Sequence, residues 1–205
     1  MKRSVPSRAS DPARRGRILA AAEKLFRHYG PAKTTIGDIA RETGIGVGSV
    51  YLEFDSKDAI VSELSTRRHD RVLDAMRAAA STGKCPERLC KALEARLETL
   101  FDMSDEGAHA CDLVLCSASA VKTVHGRFRE EEMAFVAELL AAGARAGELE
   151  VNDARGAAEL IQRAYASLSP PWLFELSRRE ALRQARAMNT LLLRGLLSNR
   201  ARKDR

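Results

Sequence analysis

Apolar residues along this chain recur at spacings of three and four, the period of an α-helix, and no useful length of sequence alternates every second residue as a strand would. The first run sets Ile18, Leu19, Ala22, Leu25 and Phe26 on one face. Asp11 followed by Pro12 predicts where it starts: a side chain that accepts from free helix N–H groups, then a ring whose φ already suits the first turn. Gly30-Pro31 predicts where it stops. Two short helices should follow, over about 35–43 and 47–53. Thr35 can cap the first, with Asp38 three residues on as a loose capping box. Gly44 ends it, because glycine accepts the left-handed backbone of a sharp stop. Ile36, Ile39 and Ala40, then Ile45 and Val50, are the apolar contacts of this pair, and the small Ala40 lets two helices cross steeply. A long helix should run from Ser56 to the Ala78-Ala79-Ala80 tract before Gly83.

Beyond Cys85-Pro86 the pattern stays helical. Leu89, Leu93, Leu97, Leu100 and Phe101 make an amphipathic stripe, interrupted by the polar stretch from Ser104 to Gly107. Two further helices are predicted over about 108–120 and 122–145, then a turn at Gly147-Glu148-Leu149-Glu150. Asp153 caps a helix carrying Ala157, Leu160, Ile161, Ala164, Tyr165 and Leu168. Pro170-Pro171 breaks it, and a last helix over about 172–197 carries Ala181, Ala185, Met188, Leu192 and Leu196. The expected fold is all-α, about nine helices: a flexible basic arm (1–11), a three-helix helix-turn-helix domain (12–57), and a larger helical domain (58–205), for which the family resemblance described below implies effector binding and dimerisation.

Composition adds little until its distribution is considered. The net charge of +6 is only mildly basic. Yet residues 1–17 carry Lys2, Arg3, Arg8, Arg14, Arg15 and Arg17 against Asp11 alone, either a solvated tail or an arm that reaches phosphates and the minor groove. No apolar region follows the first basic residues and no run is long enough to span a membrane, which predicts a cytoplasmic protein. Cys85 and Cys90, like Cys111 and Cys116, are five residues apart, about 140° around a helix, which is wrong for chelation from one face. They read as small buried hydrophobes, with a thiol sensor, or a metal site across two helices that recruits His109, as the alternative.

The helix-turn-helix pattern points to a DNA reader with its second helix in the major groove. That helix, Gly46-Val47-Gly48-Ser49-Val50-Tyr51-Leu52-Glu53, has no Arg, Lys, Asn or Gln for bidentate base contacts. Val47 against a thymine methyl, Ser49 as a short donor or acceptor, and close backbone approach at Gly46 and Gly48 remain. Selection should therefore depend on two spaced half-sites and on duplex shape read by the arm, so that deleting residues 1–13 reduces discrimination.

The run Thr35…Ile39-Ala40…Gly44-Ile45…Val50-Tyr51-Leu52-Glu53-Phe54-Asp55-Ser56-Lys57-Asp58-Ala59-Ile60 resembles the amino-terminal domain of tetracycline-repressor-type (TetR-type) regulators, over about residues 12–62. The resemblance implies an all-helical homodimer that binds a palindromic double-stranded operator and is released, as a repressor, by a small-molecule effector. It places Thr35 on a phosphate, Ser49 and Tyr51 on the reader helix and Lys57 on the DNA backbone; Lys33 joins the expected contacts. Tyr51 should also pack its ring on the first helix. Glu53 departs from the family pattern, where a neutral or basic residue is common. Either it points away and pairs with a base such as Arg41 or Lys57, the favoured reading, or it accepts from a cytosine amino group.

For the effector, taken to be hydrophobic or aromatic, the candidate pocket residues are Phe101, His109, Cys111, Leu115, Phe128, Phe135, Tyr165 and Trp172. For the homodimer they are Ala157, Leu160, Ala164, Leu168, Ala181, Ala185, Met188 and Leu192. One neighbouring helix cannot bury all of Leu191-Leu192-Leu193, so self-association should cover the surplus, and Leu192→Glu should yield a monomer that binds DNA poorly. His28, His69, His109 and His125 are dispersed, and no nucleophile set, phosphate loop or metal spacing appears, so neither an enzyme nor a cofactor is expected. The competing class is a helical scaffold that binds protein without DNA. Effector identity, operator sequence and the sign of regulation are not encoded in these patterns.

Overall fold

In the computed structural model, residues 11–107, 109 and 119–197 are described. They form α1 (Pro12–Tyr29), α2 (Ile36–Thr43), α3 (Val47–Tyr51), α4 (Lys57–Ala79), α5 (Cys85–Ser104), α6 (Ser119–Arg145), α7 (Ala154–Ala164) and α8 (Arg178–Leu196). The all-α expectation is met; among the described residues the nearest thing to a strand is one antiparallel bridge between Leu149 and Leu197. The helix expected over 108–120 lies largely outside the described residues. The chain divides into two compact units, one running to Thr66 with a return segment from Ser104 to Lys122, the other comprising Arg67–Met103 and the chain from Thr123.

The first unit is built by local signals. Asp11 caps α1, its Oδ1 accepting from Ala13 N at 3.0 Å and Arg14 N at 3.3 Å, with Pro12 in the first turn. Thr35 and Asp38 complete a reciprocal box: Thr35 Oγ1 accepts from Asp38 N at 3.1 Å and Asp38 Oδ2 accepts from Thr35 N at 3.0 Å. The Thr35 hydroxyl also donates to Asp38 Oδ2 at 2.7 Å, and that bond first, with the Thr35 N–H second, holds the Asp38 carboxyl below the usual range. Gly44 closes α2 in the left-handed region at φ 69°, where a Cβ would be strained. Ile18, Leu19, Ala22 and Phe26 then pack with Ile39, Ala40, Val50, Phe54 and Ile60 in one buried cluster.

The second unit centres on α5, whose Leu89, Leu93, Leu97, Leu100 and Phe101 are all buried with Val136 and Leu140 of α6, Ile161 of α7 and Ala181, Ala185 and Leu193 of α8. One buried ion pair crosses this core. Arg96 Nε lies 2.8 Å from Glu132 Oε1, and its other nitrogens donate to Leu168 O at 3.2 Å and Ser169 Oγ at 3.0 Å. Removing either partner would leave a charge in an apolar interior, which is strongly destabilising. Tyr165 donates its hydroxyl to Asn189 Oδ1 at 2.6 Å, and burial pushes that phenol's pKa up.

The last helix starts later than the periodicity suggests. Tyr165–Leu168 and Trp172–Glu175 are short 3-10 turns on either side of Pro170-Pro171, and α8 begins only after Ser177. Two adjacent prolines lack N–H groups for a ladder. Ser177 and Glu180 form a full capping box that fixes the new start.

Candidate nucleic-acid interface

Helix α3 is one turn and a half long, anchored inward by Val50 at 0% exposure and followed by buried Phe54. Its other side faces out. Gly46, Val47, Gly48, Tyr51 and Leu52 are exposed and Ser49 is half-buried. These residues share one surface, as the alternation around a helix with a single inward anchor requires. Lys33 and Thr35 are also exposed, Thr35 with its hydroxyl engaged in the cap of α2.

Three expectations change here. Tyr51 is 52% exposed rather than a core aromatic; the ring packed at this corner is Phe54, with the Arg15 guanidinium 4.0 Å above its centroid. Lys57 does not reach outward. Its Nζ donates to Pro31 O at 2.8 Å and Thr34 O at 3.0 Å, so it ties the turn before α2 to the start of α4. Its role is to hold the frame around α3. Lys57→Met should therefore cost about 1–3 kcal/mol of stability, the worth of charged hydrogen bonds, read as an earlier urea midpoint. A midpoint equal to the wild type's would show that the two bonds contribute nothing.

Glu53 points away from the outward surface, as favoured, but neither Arg41 nor Lys57 is its partner. Its Oε1 accepts from Arg14 Nε at 2.8 Å, from a second Arg14 nitrogen, and from the Asp11 backbone N at 3.0 Å. Arg15 donates to the Glu53 carbonyl at 2.5 Å and pairs with Glu63 on α4. Arg14 and Arg15 thus belong to α1 and its contacts, and the arm proper contains Lys2, Arg3 and Arg8, outside the described residues. A truncation through residue 13 would also remove the α1 cap, so one that tests the arm alone ends at Ser10.

A family model for bacterial regulatory proteins of the tetR family matches residues 18–64, the segment that carries α1 to α3 and the start of α4. Over that segment the chain is similar to the tetR family. The HTH-type transcriptional repressor KstR2 of Rhodococcus jostii (strain RHA1) is 45% identical to this chain over 51 residues, 25% of each protein. The chain matches about a quarter of the length of such curated relatives. Solved structures extend the likeness in fold: a transcriptional regulator from Cytophaga hutchinsonii superposes with a TM-score of 0.71 at 19% identity, covering 88% of this chain and 97% of that one. FadR from Bacillus subtilis, solved with stearoyl-CoA, gives 0.68 at 18% identity, covering 88% and 98%.

The remaining candidates scatter. Among the pocket residues, Cys111 and Leu115 lie outside the described residues, and His109 belongs to the first unit, where its N–H donates to Arg27 O at 3.1 Å. In the second unit Phe101 meets Phe174 edge-on at 6.1 Å, Phe128 lies 4.3 Å from His69, Tyr165 is buried, Phe135 is half-buried, and Trp172 is 57% exposed. Trp172 is a surface side chain. His69 and His125, far apart in sequence, stack edge-on at 4.8 Å. No group of described residues could hold a metal ion. Cys85 is a buried member of the core and Cys90 is half-buried, neither in a disulfide, whereas Cys116 is outside the described residues.

The interface candidates divide by direction. Leu168, Ala181 and Ala185 are packed in the protomer's own core and have no surface to offer a second copy. Ala157, Ala164, Met188 and Leu192 are half-buried, and Leu192 packs against that core. Leu160 at 68% on α7 and Leu191 at 64% on α8 face solvent. The expectation that three consecutive leucines cannot be buried together holds, since Leu193 is buried and Leu191 is not.

Proposed function

We propose that the protein is a sequence-specific DNA-binding transcriptional regulator of the cytoplasm. In this reading a homodimer represses by holding a palindromic operator with α3, and a hydrophobic or aromatic small molecule in the second unit releases it. The observation that carries the reading is Gly48. A Cβ there would meet no protein atom within 4 Å, and its backbone is not left-handed. Inside a helix, glycine instead of alanine costs about 0.5–1 kcal/mol. The fold gains nothing from that loss, whereas a duplex brought to backbone distance does. Gly46, beside it, is equally open and lies at φ −68°, where any residue is allowed.

Twofold pairing supports the reading from the other end of the chain. Two α3 helices must sit about 34 Å apart to enter successive major grooves. Leu160 and Leu191 supply exposed apolar surface for that pairing on α7 and α8. A groove of about 590 Å³ beside Leu160, lined also by Val151, Ala157 and Leu196, would receive side chains from the second copy. An apolar effector is supported by the aromatic content of the second unit and by the stearoyl-CoA found in FadR. No catalytic role is proposed.

Selection from a pool of random-sequence duplexes with the purified protein tests the proposal. Enrichment of inverted half-sites spaced by one helical turn, with affinity falling steeply as salt rises, is the expected outcome. A pool that emerges as random as it entered would sink it.

A further inference from the structure

We infer that Glu53, which leaves the outward surface, is a positioning residue that sets the angle at which α3 meets DNA; the inference rests on the function proposed above. Five residues make too short a helix to hold its own geometry, and α3 has no side-chain cap at its start. Its orientation must come from what grips its ends. Val50 grips it from the core. Glu53, one residue past the C-cap Leu52, grips it from the side.

The grip is built from three elements of the first unit. The Glu53 side chain is 0% exposed, and its Oε1 gathers the Asp11 N–H and the Arg14 guanidinium from the start of α1. The main chain of the same residue accepts from Arg15 at 2.5 Å. Arg15 also lies over Phe54 and pairs with Glu63 of α4. Two carboxylates and two arginines thus connect the end of α3 to α1 and α4 at points that a hydrophobic core alone would not fix, because charged, directional bonds tolerate little sliding. The same geometry removes two other roles. A fully covered carboxylate engaged by Arg14 cannot accept from a base, and its charge is neutralised where phosphates would otherwise be repelled.

The test uses the full-length protein and two duplexes: one enriched from the random pool by the wild-type protein, and one of scrambled sequence. Glu53→Ala and Arg14→Ala should each lower the preference for the enriched duplex by roughly tenfold, while the slope of affinity against salt stays at the wild-type value. The double variant should lose no more than either single one, because both remove the same grip. Glu53→Gln keeps the size and an acceptor for the Asp11 N–H, and should restore most of the preference. If Glu53→Ala melts below the assay temperature, Arg14→Ala decides. Unchanged preference in the folded variants overturns the inference, as does tighter binding of both duplexes by Glu53→Gln, the mark of simple repulsion. A switch in preference at one base pair overturns it too, being the mark of direct reading. A wild-type protein that enriches no duplex refutes the proposed function itself, which separates the two failures.

Discussion

Replacing Gly48 with alanine should stabilise the first unit and loosen its hold on DNA at once. The two effects have opposite signs because they act through different neighbours. Within the protein, a methyl group at Gly48 meets no atom within 4 Å and joins a helical backbone. The gain is about 0.5–1 kcal/mol, chiefly from the lower entropy of the unfolded chain. Against a duplex, the same methyl sits on the surface of closest approach, between exposed Val47 and half-buried Ser49. A displacement of that helix by even a fraction of an ångström strains each contact in both half-sites, and a loss of about 1–3 kcal/mol, five- to over a hundredfold in affinity, is expected. Gly48→Glu should go further and abolish binding while leaving the fold intact. A thermal melt and a binding titration on the same preparations check the pair of effects. Affinity that rises together with the melting temperature would show that α3 approaches nothing closely.

Leu160→Glu should have the larger effect. Leu160 is 68% exposed, so a carboxylate there costs the isolated protomer almost nothing. In a dimer paired through α7 and α8 the same side chain would be carried out of water beside Leu196 and Val151, which line its groove. An unpaired buried charge is penalised by several kcal/mol. The dimer should therefore dissociate at micromolar concentrations. Operator affinity should fall by at least about a hundredfold, because each half-site then binds without the high effective concentration that the second confers. Leu192→Glu is a poorer probe than its place in the leucine triplet suggests, since Leu192 packs on the protomer core and its loss would confound folding with association. Sedimentation of Leu160→Glu as a dimer that still binds tightly would remove α7 from the interface.

The parts of the fold that could be read directly from the chain are those decided by neighbours in sequence. Asp11-Pro12, the Thr35–Asp38 box and Gly44 each act over four residues or fewer, so spacing alone reveals them. The Ser177–Glu180 box has the same signature and was legible in principle; the apolar pattern running through Trp172 obscured it. The partner of Glu53 was not legible. Arg14 lies 39 residues away and, in a basic stretch, looks like one more cation of a tail. Nothing local distinguishes it from Arg17, which remains exposed. Lys57 illustrates the converse problem. A lysine next to a reader helix suggests phosphate by position, yet two carbonyls of the preceding turn lie closer and claim its ammonium. In α8, helical periodicity finds the stripe Ala181, Ala185, Asn189, Leu193, but it cannot say whether a stripe faces its own core or a second copy. Tertiary burial assigns it to the core and leaves Leu191 outside. Pocket residues meet a related limit, since aromatic rings mark an interior without marking which of them surround a void.

Helix α3, Val47-Gly48-Ser49-Val50-Tyr51, carries no ionisable acid or base apart from the phenol of Tyr51. Under the proposed function, attraction to the polyanion would then come from outside it, and the letters read by α3 would be decoupled from the strength of the long-range pull. Residues 47 to 49 would in that sense be an interchangeable typeface, open to rewriting for new operators without retuning the electrostatics of the molecule that carries them.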